Sequence, residues 1–239
     1  MLDAFRKVLE ELEAAFRRLE AQVPPPIKVD TGDGFILRYQ EKTVQQMLLQ
    51  KFARLISGLY AIDLLHNNGF LQEQCAIQRT LDEIEEDILF ICLGITSDNW
   101  TENHKNYEAD FWMEEPGPQS VRRHKIRAFN NRADGLDNPS AADANGRLLY
   151  QTYSGYIHAA STNVIEMCIG NPPSFRLSGQ LDSPLLQDHK ADIWNYFYRA
   201  LMAVPFLAKV FGDNQLGENS YASAKGFEKR FAAVLMPTG

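Results

Sequence analysis

Apolar residues recur three and four positions apart over most of this chain, and that spacing commits it to helices. In residues 2–23, LDAFRKVLEELEAAFRRLEAQV, the side chains of Leu2, Phe5, Leu9, Leu12, Phe16, Leu19 and Val23 follow alternating steps of three and four. They share one face of an α-helix. The flanking positions hold Val8, Ala15 and Gln22, where a free two-stranded zipper carries charge. The stripe is therefore wide. Such a stripe docks either on the rest of the chain or on a second copy, and the second reading makes this helix a homodimer contact. Prolines at 24–26 end it, because proline lacks the amide donor and clashes with the preceding turn.

The same periodicity returns downstream. Met47, Leu48, Phe52, Leu55, Ile56, Leu59, Ile62 and Leu65 mark a helix over 40–66, closed by Asn67, Asn68 and Gly69. Ile77, Leu81, Ile84, Ile88 and Ile91 mark another over 71–94. A shorter helix capped by Asp98 stops before 116–118, PGP, and a helix beginning near Ser140 runs through YSGYIHAAS. Residues 184–236 read as two helices broken at FGDNQLG. Strand alternation is confined to 173–182, overlapping GNPPSFRLSG, and to 34–39. The expectation is an all-α, single-domain bundle of about seven or eight helices with little or no β structure. It divides into an N-terminal helix over 1–23, a Pro/Gly linker over 24–39 and a bundle over 40–236.

A net charge of −7 argues against a surface that coats nucleic acid, while leaving room for a local basic patch. The three cysteines lie far apart in apolar stretches, which fits buried thiols in a reducing compartment. No apolar run reaches the ~18 residues of a membrane span, and the start of the chain lacks an apolar signal core. A cytoplasmic protein without membrane contact, metal or cofactor is the expectation.

Four segments carry chemistry. RTLDEIEED holds Asp82, Glu83, Glu85, Glu86 and Asp87 in directions too scattered to converge on one metal. Arg79 and Glu83 fall one turn apart, as a solvated surface pair or as a charged ladder facing a cleft. TENHKNYEAD places His104 and Glu108 one turn apart, but its polarity points to an exposed face rather than a metal site. VRRHKIRAFNNR, with Arg122, Arg123, Lys125, Arg127 and Arg132, is either a solvated basic face or a grip on an RNA backbone. In YSGYIHAAS, continuous helical phase puts Arg147, Ser154 and His158 on one stripe, flanked by Tyr150, with Tyr153 and Tyr156 on the other side. That stripe is uncharged from Ser154 to Asn163, which favours a semi-buried seam. An unperturbed imidazole titrates near ~6.5 and serves as acid or base. Gly155 implies close approach of another helix or a ligand.

RTLDEIEEDILFI, then YSGYIHAAS, then GNPPSFRLSG together resemble an uncharacterised bacterial family of all-helical proteins similar to HEPN domains. The likeness spans roughly residues 40–210. It implies a helical effector of toxin–antitoxin or phage-defence systems, with metal-independent RNA cleavage or nucleotide binding as its activity. His158 would then move the proton, Arg79 or Arg147 would bind phosphate, and Ser154 would orient the substrate. Tyr150, Tyr153, Glu83, Arg122 and Arg123 would contribute to binding. The chain departs from the family's Arg–His spacing, since Arg147 precedes His158 by eleven positions, or ~16 Å of helix rise. The contrasting reading is a non-catalytic helical interaction or ligand-binding module.

Overall fold

A computed structural model describes residues 2–113, 117, 120–133 and 152–235. The chain is predominantly helical. Helices α1 (Leu2–Glu20), α2 (Val44–Asn67), α3 (Leu71–Thr96), α4 (Glu102–Phe111) and α5 (Arg123–Ala133) come first. The end of α6 (152–157), the single turn α7 (Ser161–Val164), α8 (Leu186–Val210) and α9 (Asn214–Leu235) follow. Two antiparallel pairs supplement them: β1 (Ile27–Asp30) with β2 (Phe35–Arg38), and β3 (Cys168–Ile169) with β4 (Ser174–Phe175).

Helices α2, α3 and α8 contact one another and hold the centre of the core. Helix α9 lies along α8, α5 lies along α3, and α1 lies across α2 and α8. Met47, Leu48, Phe52, Leu55 and Leu59 of α2 meet Leu81, Ile88 and Ile91 of α3 and Phe197, Leu201 and Val204 of α8 in one buried cluster. Thr43 starts α2 with a reciprocal cap: its hydroxyl accepts the Gln46 amide, and the Gln46 carboxamide accepts the Thr43 amide.

The N-terminal stripe docks on its own chain. Phe5, Leu9, Leu12 and Leu19 are buried, as are Val8 and Ala15 at the flanking positions, so the whole width is covered. Phe5 packs against Trp194 and Phe197 of α8, at ring separations of 5.1 and 4.5 Å. The face a homodimer through α1 would use is thus covered by α2 and α8.

Two helix boundaries differ from the periodicity. Helix α3 runs on to Thr96, so Asp98 belongs to its closing turn with φ of 53°, and Thr101 caps α4 instead. The helix carrying YSGYIHAAS stops at residue 157. Ala160 N–H donates to Gly155 O and Ala159 N–H to Tyr156 O, with Ala159 left-handed at φ 49°. That is a Schellman ending, which satisfies the terminal carbonyls and turns the chain away. The stripe of continuous helical phase therefore breaks at His158.

If α1 belongs to the core, Leu12→Ala lowers folding stability by ~2–5 kcal/mol, the range for a fully buried leucine. Urea unfolding of the monomer checks this; a loss below ~1 kcal/mol would mean that α1 is only loosely docked.

Candidate functional site

Helix α3 buries much of its acidic run, and cations from four helices meet it. Lys51 of α2 reaches Asp87 at 2.9 Å, and Arg123 of α5 reaches the other oxygen of Asp87 at 2.6 Å. Arg127 bonds Glu86 at 2.6 Å, and Arg79 bonds Glu83 at 2.7 Å within α3 itself. From α8, Arg199 bonds Asp82 at 2.7 Å and pairs with Glu85, while the Tyr196 hydroxyl donates to Asp82 at 2.9 Å. Burial pushes the Glu85 carboxyl up to about 8; neighbouring Asp82 and Glu86 add to that push, and Arg199 opposes it. For Arg123, burial disfavours the charge, but Asp87 outweighs it and holds the guanidinium firmly protonated. Removing one member of such a pair strands the other in low dielectric, at a cost of ~3–5 kcal/mol.

This network divides the basic segment. Arg123, Arg127 and Asn130 share one face of α5 and are bound to α3, with Asn130 donating to the Glu86 carbonyl at 2.9 Å. Lys125, Ala128, Phe129 and Arg132 form a second face, spaced as i, i+3, i+4 and i+7. That face lines a cleft of about 730 Å³ closed by the end of α3 and the start of α4. Among the described residues neither Lys125 nor Arg132 has an ion-pair partner, and both are exposed. Asn99 and Asn103 also line the cleft, and their carboxamides bond no other described residue. The expectation that Arg122 and Arg123 act together in binding is corrected here. Arg122 is exposed, whereas Arg123 is engaged internally because Asp87 needs a buried counter-charge.

The residues of YSGYIHAAS are placed unevenly. Tyr153 is buried and its hydroxyl donates to Asp192 at 3.1 Å; burial first, then Asp192, Cys75 and Asp82, hold its proton on. Ser154 is half-buried, and His158 is exposed in the turn without a side-chain partner among the described residues. The space beside Gly155 is filled by the Asn163 side chain, not by another helix or a ligand. Arg79 is 5% exposed and paired with Glu83, so the pair exists but Arg79 is not solvated. Tyr156 of the same helix interacts with the Cys75 thiol of α3, one turn before Arg79. Arg147 and Tyr150 lie outside the described residues.

Beside Tyr153 is a polar cluster that sequence spacing alone missed. Cys75 Sγ lies 3.3 Å from His189 Nδ1, and the Tyr156 hydroxyl donates to Glu166 at 3.0 Å. Burial raises the Cys75 thiol and lowers the His189 imidazole. Both partners are therefore neutral, with the thiol donating, and the pair lacks the thiolate a nucleophile requires. The partners stand 114 positions apart in the chain. The apolar setting of Cys75 was visible in the sequence; its neighbour was not.

His104 is the clearest correction. Its surroundings suggested an exposed face, yet it is fully buried. The ring stacks on Phe90 at 3.8 Å, Nδ1 accepts the Thr101 amide at 3.0 Å, and Nε2–H donates to the Phe90 carbonyl at 3.1 Å. Gly94 admits it, since a Cβ there would meet the imidazole. Among the described residues no group of three or more His, Cys, Asp and Glu could hold a metal ion. No described helix is long and apolar enough to cross a membrane.

Fold and site together define a helical bundle organised around a buried ion network, with a separate cationic cleft. No family model matches this chain, and neither the curated proteins nor the solved structures yield a match.

Glu85 generates a pH prediction. Its folded-state pKa of about 8 lies above the ordinary 4.5, so its contribution to stability is complete below pH 4.5 and disappears as pH rises through 8. Relative to Glu85→Gln, which stays neutral, the wild-type chain therefore loses stability across that window. Urea titrations at stepped pH measure the difference; a wild type that holds or gains stability relative to Glu85→Gln between pH 4.5 and 8 would contradict the neutral assignment.

Proposed function

We propose that the protein is a helical binding module whose α3–α4–α5 cleft takes a phosphate-bearing ligand, with a nucleotide as its class. The observation that carries this reading is the pair Lys125 and Arg132, without an ion-pair partner among the described residues and seven positions apart on one face of α5, in a fold that pairs Arg123 and Arg127 internally. The cleft volume of about 730 Å³ falls within the ~300–1,000 Å³ of small-molecule sites. Two cations suit phosphate oxygens, the Asn99 and Asn103 carboxamides suit the edge of a base, and Phe129 supplies an aromatic wall. A fluorescent nucleoside triphosphate titrated into the protein tests this. Binding weakens roughly tenfold or more in Lys125→Glu/Arg132→Glu and falls with added salt. Equal binding by the variant and the wild type would overturn the assignment.

A second reading, the HEPN-like RNA-cleaving effector, is favoured by one observation. The helix bearing Tyr153, Ser154 and His158 sets the Tyr156 hydroxyl beside Cys75 of α3, one turn before Arg79. Here Arg79 would leave Glu83 to hold phosphate while the exposed His158 moved the 2′-hydroxyl proton. The wild type would then degrade total RNA in the presence of EDTA, and His158→Ala and Arg79→Ala would each lose at least ~100-fold of that activity. An inert wild type removes this reading and leaves the binding reading standing.

A further inference from the structure

The β1–β2 hairpin stands apart from the rest of the fold in its exposure. All eight of its residues are exposed, including Ile27, Val29, Phe35, Ile36 and Leu37. Paired residues point to the same side, so Ile27, Val29 and Ile36 share one face with Arg38, and Phe35 and Leu37 share the other with Lys28 and Asp30. A two-stranded hairpin of this length is marginal by itself, and an open edge invites another strand.

The direction of the backbone groups identifies the open edge. Thr31 N–H donates to Gly34 O at 3.0 Å, making Thr31 and Gly34 a hydrogen-bonded pair. Strict alternation then makes Val29/Ile36 and Ile27/Arg38 hydrogen-bonded pairs as well. The amides and carbonyls of Lys28 and Asp30 consequently point outward, and among the described residues they bond nothing. On the opposite edge the Leu37 carbonyl is already filled by Arg38 Nη1 at 3.1 Å, and Tyr39 beyond it packs against Trp112. The β2 edge is thus partly filled, whereas every outward amide and carbonyl of the β1 edge is open among the described residues.

We infer that this edge pairs with β1 of a second copy of the chain, antiparallel about a two-fold axis at Val29. The sequence Ile27-Lys28-Val29-Asp30-Thr31 complements itself in that register. Lys28 faces Asp30 of the other copy twice over, Ile27 faces Thr31, and Val29 faces Val29. The parity is correct, because Lys28 and Asp30 supply the outward groups and form the hydrogen-bonded pairs. Other registers of the same parity fail. A two-fold at Lys28 opposes two lysines and sets Asp30 against Pro26, which has no amide; a two-fold at Asp30 opposes two aspartates. The product is a four-stranded sheet whose one face joins Ile27, Val29 and Ile36 from both copies. This dimer is separate from the cleft and does not rest on either functional reading.

Mass measured by light scattering across a concentration series gives a monomer–dimer equilibrium for the wild type. Lys28→Asp opposes carboxylates at both cross-strand positions and weakens association by roughly tenfold. Lys28→Asp/Asp30→Lys restores the opposite charges and recovers it. Val29→Cys provides a second readout: residues facing each other in a non-hydrogen-bonded pair lie ~4.5 Å apart at Cα, within reach of a disulfide. Val29→Cys is expected to yield a covalent dimer under mild oxidation, and Ile36→Cys on the partnered strand is not. A monomer at every concentration, or a dimer indifferent to Lys28→Asp and uncrosslinked by Val29→Cys, would overturn the inference.

Discussion

The structure depends on burying the acidic face of α3. A carboxylate taken out of water needs a counter-charge and hydrogen bonds, or it gives up its charge. Asp87 takes the first route, held between Lys51 and Arg123. Glu85 takes the second, with a proton retained to about pH 8. The cations come from three neighbours: α2 supplies Lys51, α5 supplies Arg123 and Arg127, and α8 supplies Arg199. Apolar contact is indifferent to small slides between helices, whereas an ion pair is not. The network therefore sets how α2, α5 and α8 are aligned on α3.

That alignment also produces the cleft. With Arg123 and Arg127 bound to α3, the helical phase of α5 carries Lys125 and Arg132 to the opening between α3 and α4. A single basic segment thus has a face bound to α3 and a face that lines the cleft. In an acidic protein, two such cations stand out against the general field, and a local positive site recruits an anion by short-range pairing rather than long-range steering.

The legible parts of the fold were those set by local periodicity. The stripes of α1, α2 and α3 and the break between α8 and α9 are written in apolar spacing, and β4 falls within the alternation read over 173–182. The basic segment was read as one unit, and only its helical fold as α5 separates Arg123 and Arg127 from Lys125 and Arg132. His104 was not readable. Its flanks are polar, and only the approach of Phe90 and Trp100 across a glycine on another helix makes its site a core position. The stripe through His158 failed for a local reason, a left-handed residue that is alanine rather than the glycine that usually marks such an ending.

The sequence by itself determined that the chain is helical, where most helices run and which residues carry charge, because these follow from spacing and chemistry along a few turns. Tertiary structure alone decided which charges are neutralised and which remain available. Arg79 and Arg123 look no different from Lys125 and Arg132 in the chain, yet the first two face carboxylates and the last two face a cleft. The same holds for Cys75 and His189, brought together from 114 positions apart. A side chain's protonation and availability depend on what the fold places within a few ångströms of it, and contacts between distant segments are not encoded in any local period.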